Sequence, residues 1–164
     1  MKHLAVYAGS FDPPTYGHVD IVKRIAPLFD KIFLVVAKNP RKKTLFEAEE
    51  RAALLKEALA SQLKGVDIEV CIHDALLVDF CKQKGAKVLI RGLRAMSDFE
   101  GELQMASMNR KLAPGIETFH VMTDEKFSFI SSSLIKELAH FDTNLKELVP
   151  KNVLAALKKK LAGT

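Results

Sequence analysis

The side chains in this sequence best suited to chemistry are a histidine, several lysines and arginines, and a set of hydroxyls, gathered in short segments. The first segment is Gly9-Ser10-Phe11-Asp12-Pro13-Pro14-Thr15-Tyr16-Gly17-His18. Gly9 lets backbone approach a ligand closely, and Gly17 is expected to bring a helix start against a strand. His18 then falls in the first helical turn, where free amides and the positive helix end favour phosphate. A histidine there can donate to a phosphate oxygen as charge moves across it. Read alone, it fits a helix cap satisfied by backbone equally well. A second segment, Asn39-Pro40-Arg41-Lys42-Lys43, offers three cations that spacing does not rank, and a solvated basic loop accounts for it too. In a third, Arg91-Gly92-Leu93-Arg94, Arg91 follows an apolar run beside a glycine, a placement suited to bidentate phosphate contact. Arg94 is also spaced for an ion pair with Asp98. The fourth, Phe127 to Ser133, brings Ser131, Ser132 and Ser133 to a helix start, where Ser131 or Ser132 can equally act as an N-cap.

These segments need elements to position them. Apolar runs at Leu4–Ala8, Ile32–Ala37, Val66–Ile72, Val88–Ile90 and Thr118–Met122 have the bulk and β-branching of strands buried on both faces. Between them, His18, Val22, Ile25 and Phe29 mark one stripe of a helix ending near Pro27–Asp30. A second helix is expected over Glu47–Ser61, opened by a capping box at Thr44–Glu47. Leu76–Lys84, closed by Gly85, Asp98–Leu112, stopped by Pro114-Gly115, Ser131–His140 and Val149–Leu161 complete the set. Strict alternation predicts a single-domain, doubly wound α/β fold, residues 1–164. It is Rossmann-like, with five parallel strands, helices on both faces and a helical C-terminus. Ligands in such sheets bind beyond the carboxyl ends of the strands. The segments after the first, second, fourth and fifth strands, Gly9–His18, Asn39–Thr44, Arg91–Arg94 and Thr123–Ser133, are therefore the expected site. A Gly-x-Gly-x-x-Gly fingerprint is absent, which weighs against a dinucleotide-dependent oxidoreductase.

Composition narrows the classes. The chain has 164 residues, 48% hydrophobic and 27% charged, enough for one core without disulfides. No run approaches the ~20 apolar residues of a membrane span, and the N-terminal residues lack the apolar length of a secretory leader. Cys71 and Cys81 form neither a Cys-x-x-Cys pair nor a zinc pattern. A cytoplasmic enzyme or binding domain is expected. The net charge of +5 fits nucleic acid, small phosphorylated molecules or simple solubility. Aromatic content of 7%, with no stacking platform, argues against nucleic acid.

Thr15-Tyr16-Gly17-His18 resembles the (His/Thr)-x-Gly-His signature of the nucleotidyltransferase superfamily related to class I aminoacyl-tRNA synthetases. Tyr7-Ala8-Gly9-Ser10-Phe11-Asp12-Pro13 resembles the opening of the bacterial phosphopantetheine adenylyltransferase family. Further matches run in order through Lys42, Leu89–Arg94, Asp98–Glu100, Met108–Arg110 and Phe127–Ser133. The resemblance implies reversible transfer of AMP from ATP to 4′-phosphopantetheine, giving dephospho-coenzyme A and pyrophosphate. An anionic phosphate oxygen attacks in line, so the site needs orientation and charge stabilisation rather than a general base. That chemistry suits a site of cations, hydroxyls and amides.

By resemblance, His18, Lys42, Arg91 and Ser10 are catalytic. Gly9, Ser10, Phe11, His18, Gly92, Leu93, Arg94 and Glu102 bind ATP, together with Phe127, Ser128, Phe129, Ile130 and Ser131–Ser133. Ser10, Lys42, Leu77, Arg91, Asn109 and Glu137 bind the acceptor. Phe127 stands where relatives often carry Trp, and Gly101 where a Tyr frequently holds the pantetheine arm. Mg²⁺ is expected to accompany ATP, held by phosphates and water, and no metal ligand is assigned among the side chains. Coenzyme A is implied as a feedback inhibitor. The helix over Asp98–Leu112 carries two apolar stripes, Phe99, Leu103 and Ala106 against Met105, Met108 and Leu112. One stripe can face the chain's own core; the resemblance gives the other to a homohexamer. The nearest competing activities transfer a nucleotide to nicotinate or nicotinamide mononucleotide, or to a small alcohol phosphate.

Overall fold

Runs dense in Val, Ile, Leu and Phe form the central strands, because each strand is covered on both sides and has no solvent face to alternate with. The structure is a computed structural model describing residues 2–39, 43–60, 62–63, 65–94, 96–141 and 143–162, with the side chains of residues 96–98 outside the description. The chain runs β1 (Leu4–Gly9), α1 (Tyr16–Ile25), β2 (Lys31–Ala37), α2 (Ala48–Ala60), β3 (Ile68–His73), α3 (Leu77–Lys84), β4 (Val88–Leu93), α4 (Met96–Leu112), β5 (Glu117–Met122), α5 (Ser132–Ala139) and α6 (Lys151–Ala162). Short 3₁₀ turns cover Ala26–Leu28 and Glu125–Phe127.

The sheet has the order β3-β2-β1-β4-β5, all parallel. Strand residues alternate between two cores. Ala5, Tyr7, Ile32, Leu34 and Val36 meet α1 and α2 on one face. Val6, Ala8, Phe33 and Val35 meet α3 and the residues after α4 on the other. A third cluster joins Phe46 and Ile130 to α5 and α6. The doubly wound sheet is thus as expected. No helix among the described residues is long and apolar enough to cross a membrane.

Two boundaries and one buried face differ from the sequence expectation in ways that matter. β4 continues three residues past Ile90 to Leu93, because β5 supplies ladder partners as far as Leu93↔Met122. Arg91 and Gly92 therefore lie inside a strand rather than in the loop after it. The expected cap of α2 moves three residues on: the Glu47 amide donates to Glu50 Oε2 at 2.8 Å, and Thr44 is not the cap. Finally, α4 buries neither apolar stripe. Phe99, Leu103, Met105, Met108 and Leu112 are each about half exposed, and among the described side chains of this helix the buried one is Asn109.

Candidate active site

The sheet order sets where a ligand can enter. The chain lays β1, β2 and β3 outward in one direction, then returns to place β4 on the other side of β1. Pairing of β1 with β4 stops at Tyr7↔Ile90, whereas β1 stays paired with β2 as far as Gly9↔Val36. Beyond Tyr7 the two strands separate, and a crevice opens at the switch in strand order, the usual ligand position in such sheets. It is a cleft of about 420 Å³. Ala8, Gly9 and Ser10 form one wall, Arg91, Gly92 and Arg94 a second, with His18 from α1, Glu102 from α4, and Ile130 to Ser133 closing it.

His18 is held by the start of its own helix. The Thr15 amide donates to its Nδ1 at 3.0 Å, and the Thr15 hydroxyl lies 3.0 Å from the same nitrogen. Phe11, fully buried, sets its ring edge-on to the imidazole at 5.0 Å between centroids. Burial pushes the His18 pKa down to about 4, and the positive charge of Arg94 adds to the effect. The ring is therefore neutral near pH 7. With Nδ1 accepting, its proton sits on Nε2, which makes that atom the donor. The capping reading of His18 is realised, and the same backbone contact leaves Nε2 as the donor nitrogen.

Arg91 is fixed on three sides. Its Nε and Nη2 donate to the two Glu102 oxygens at 2.9 and 2.7 Å, and Nη1 donates to the Ala8 carbonyl at 2.9 Å. Three of its five N–H groups thus have acceptors among the described residues, leaving one on each terminal nitrogen for a phosphate. Glu102 is raised by burial, yet its contact with Arg91 more than offsets this and holds it below the ordinary carboxylate range. Burial also pushes the Tyr7 phenol up, partly countered by Arg91, so Tyr7 stays neutral beneath the cleft. His120, opposite Arg91 in the β5 register, lies 3.6 Å from Glu102.

Gly92 has a steric reason to be glycine. A Cβ there would lie 2.6 Å from Ile21 Cδ1 and 3.4 Å from the Tyr7 hydroxyl. At Gly9 the neighbour is the Phe11 ring, at 3.1 Å. Gly17 was expected to bring α1 against a strand; its nearest neighbours beyond Thr15 are instead Phe127 atoms at 3.7 and 3.9 Å, so its smallness serves the 3₁₀ turn. A Cβ at Gly101 meets nothing within 4 Å, so no steric demand requires glycine there.

The serine segment divides its hydroxyls. Ser131 accepts from the Leu134 amide at 3.0 Å as the N-cap of α5, and Ser132 donates to the Pro13 carbonyl at 2.8 Å. Ser133 is exposed at the cleft. Other anticipated residues lie outside the cleft lining. Phe127 stacks on Tyr16, Ser128 donates to the Glu125 carbonyl at 2.7 Å, and Phe129 is 62% exposed. Leu93 is buried at the end of β4, while Leu77, Asn109 and Glu137 sit on α3, α4 and α5. Lys42, and the side chain of Asp98 as a partner for Arg94, fall outside the described residues.

Among the supporting residues that were missed is an arginine on α2. Arg51, 3% exposed, donates through Nη1 to the Ser10 carbonyl at 2.6 Å and the Ala37 carbonyl at 3.3 Å, tying the ends of β1 and β2 together. The signal was present: Arg51 interrupts the otherwise apolar stripe of Ala48, Leu55, Ala58 and Leu59. A cation on a core-facing stripe needs buried acceptors.

The cleft combines a neutral N–H donor, a fixed guanidinium and a second arginine at a helix and strand terminus, features that suit transfer between phosphates. Residues 6–138 match the cytidylyltransferase-like family. The chain is 48% identical over 157 residues to the phosphopantetheine adenylyltransferase of Alkaliphilus metalliredigens (strain QYMF), covering 96% of this chain and 98% of that protein. It is 50% identical over 156 residues to the enzyme of the same name from Staphylococcus carnosus (strain TM300), covering 95% of each. Among solved structures, the lipopolysaccharide core biosynthesis protein of Thermoplasma volcanium GSS1 shares the fold, with a TM-score of 0.53 and 25% identity over 76% of this chain and 98% of that one. With identity near one half sustained along nearly its whole length, the chain belongs to the phosphopantetheine adenylyltransferase family of cytidylyltransferase-like proteins.

Proposed function

We propose that the cleft transfers AMP from ATP to 4′-phosphopantetheine, forming dephospho-coenzyme A and releasing pyrophosphate, reversibly. An acceptor phosphate oxygen forms the new bond to the α-phosphorus as the bond to the β-phosphate bridging oxygen breaks. The nucleophile is already an anion at neutral pH, so no proton need be removed. The carrying observation is that His18 and Arg91 line the same cleft, opened where β1 and β4 part. The Nε2 proton of His18 serves the charge that develops on the α-phosphate, and the Arg91 guanidinium holds the acceptor phosphate. Gly9 and Ser10 line the same cleft. Lys42 is assigned to the transferring phosphates. Arg94, Gly92, Leu93, Glu102 and the segment from Phe127 to Ser133 are assigned to the nucleotide, and Leu77, Asn109 and Glu137 to the pantetheine arm.

Mg²⁺ enters as the companion of ATP. Glu102 is the one acidic side chain among the described lining residues, and both its oxygens are engaged by Arg91. The side chains present therefore do not fit a carboxylate-held ion, whereas phosphate oxygens and water provide the hard donors that Mg²⁺ takes. Coenzyme A, which contains the product's adenylyl-pantetheine frame, is proposed as a feedback inhibitor at the same cleft. The assembly is proposed as a homohexamer in the cytoplasm. The half-exposed apolar residues of α4, with Phe119 and Met122 on the edge strand β5, support burial against further copies. Incubation with ATP, Mg²⁺ and phosphopantetheine, followed by pyrophosphate detection, tests the reaction. Absence of release with this acceptor, but release with nicotinamide mononucleotide, would replace the reading.

A further inference from the structure

Asp12 carries a carboxylate at 3% exposure, behind the cleft rather than in it. Its three donors come from two segments remote in sequence. Oδ1 accepts the Phe46 amide at 2.9 Å, and Oδ2 accepts both the Leu45 amide and Lys136 Nζ at 2.9 Å. Leu45 and Phe46 lead into α2. Lys136 lies in the second turn of α5, directly behind the turn that holds Ser131–Ser133. The same helix is tied once more to the loop of Asp12, by the Ser132 hydroxyl on the Pro13 carbonyl at 2.8 Å.

A buried carboxylate is costly unless it is hydrogen-bonded and paired, and these three donors engage both of its oxygens. An apolar residue at position 12 would orphan two amides, and an asparagine would turn N–H groups toward other N–H groups. The Asp12 neighbour Phe11 adopts a φ of +47°, a conformation that a non-glycine residue keeps only when its surroundings impose it. The loop carrying Ser10 and the helix start carrying Ser131–Ser133 thus share one fixed point, and both line the cleft.

We propose that Asp12 and Lys136 are positioning residues for the nucleotide: their ion pair sets the spacing between the β1–α1 loop and the first turn of α5. Neither residue lines the cleft, so both act through the residues that do. This rests on the adenylyl-transfer reading for its kinetic consequences, though not for its effect on ATP binding. Displacing one wall by about 1 Å is enough to cost one to two orders of magnitude in a preorganised site.

The test compares Lys136→Met, Lys136→Arg, Asp12→Asn and the Asp12→Asn/Lys136→Met pair in turnover, in ATP calorimetry and in thermal melting. Lys136→Met keeps the aliphatic stem and loses the charge. The expected result is a KM for ATP, and a calorimetric Kd, raised about tenfold, with a clearly smaller rise in the KM for phosphopantetheine, whose assigned contacts include Ser10 and Glu137 on the same two segments. Lys136→Arg should restore ATP binding, and the double variant should bind ATP no more weakly than Asp12→Asn alone, since both remove one interaction. A lowered melting temperature with ATP affinity unchanged would overturn the proposal, as would equal shifts in both KM values. If Asp12→Asn does not fold, the Lys136 pair of variants still decides. Wild-type protein that binds ATP but releases no pyrophosphate refutes the reaction instead, and calorimetry continues to test the positioning role.

Discussion

His18 carries the account at the scale of single residues, because its hydrogen bond to the Thr15 amide and its lowered pKa make it a neutral donor through Nε2. Replacing it with Ala should cut kcat by roughly 10²–10³-fold with a much smaller change in ATP binding, the pattern of an interaction strongest in the transition state. The lowered pKa also has a stability consequence. The unfolded histidine binds a proton near pH 6.5 and the folded one near 4, so between those values the unfolded state holds more protons. Stability should therefore fall as pH drops from 6.5 toward 4, and denaturant melts of His18→Gln should lose that part of the slope. Arg91→Lys keeps one charge but loses the fork held by Glu102. It should raise the KM for the phosphorylated acceptor about tenfold or more, measured by initial rates. The motif residues around His18 were legible in the sequence because their types are rare together. Asp12 and Arg51 were not read as supports, because their partners lie in other elements and buried charge shows only once the chain is folded.

Among the elements, β4 does most to shape the cleft. Its three extra residues leave Arg91 in a ladder with β5, so the arginine projects from a rigid strand rather than a loop. The sequence could not show this, since Arg-Gly after an apolar triplet reads as a strand end, and the partners that prolong it come twenty-nine residues later. The five strands themselves were legible from bulk and β-branching, and boundary errors were confined to where a tertiary partner decides. Gly92 offers a test at this scale. Gly92→Ala places a Cβ against Ile21 Cδ1 and should destabilise the protein by about 1–3 kcal/mol in urea melts. Ile21→Val removes the clashing methyl and should recover most of that loss in the double variant; if it recovers none, the packing of α1 against β4 is not the reason for glycine here.

For the whole molecule, α4 raises the question that a single chain leaves open, since both of its apolar stripes face outward. The sequence showed the two stripes but not that the chain covers neither, because coverage depends on how far α4 stands from the sheet. Sedimentation should find an assembly several times the 18.2 kDa chain. Leu103→Glu, on the exposed stripe, should reduce it to smaller species. The net charge of +5 also gains meaning at this scale: Arg91 and Arg94 meet at one sheet edge, while Lys160 is paired with Glu50 across α2 and α6. The central claim is adenylyl transfer at the crevice between β1 and β4, and one measurement addresses it most directly: pyrophosphate released by purified protein from ATP and 4′-phosphopantetheine. The account predicts stoichiometric pyrophosphate and dephospho-coenzyme A, nearly abolished by His18→Ala. Undiminished release by His18→Ala, or none from the wild-type protein, would contradict it.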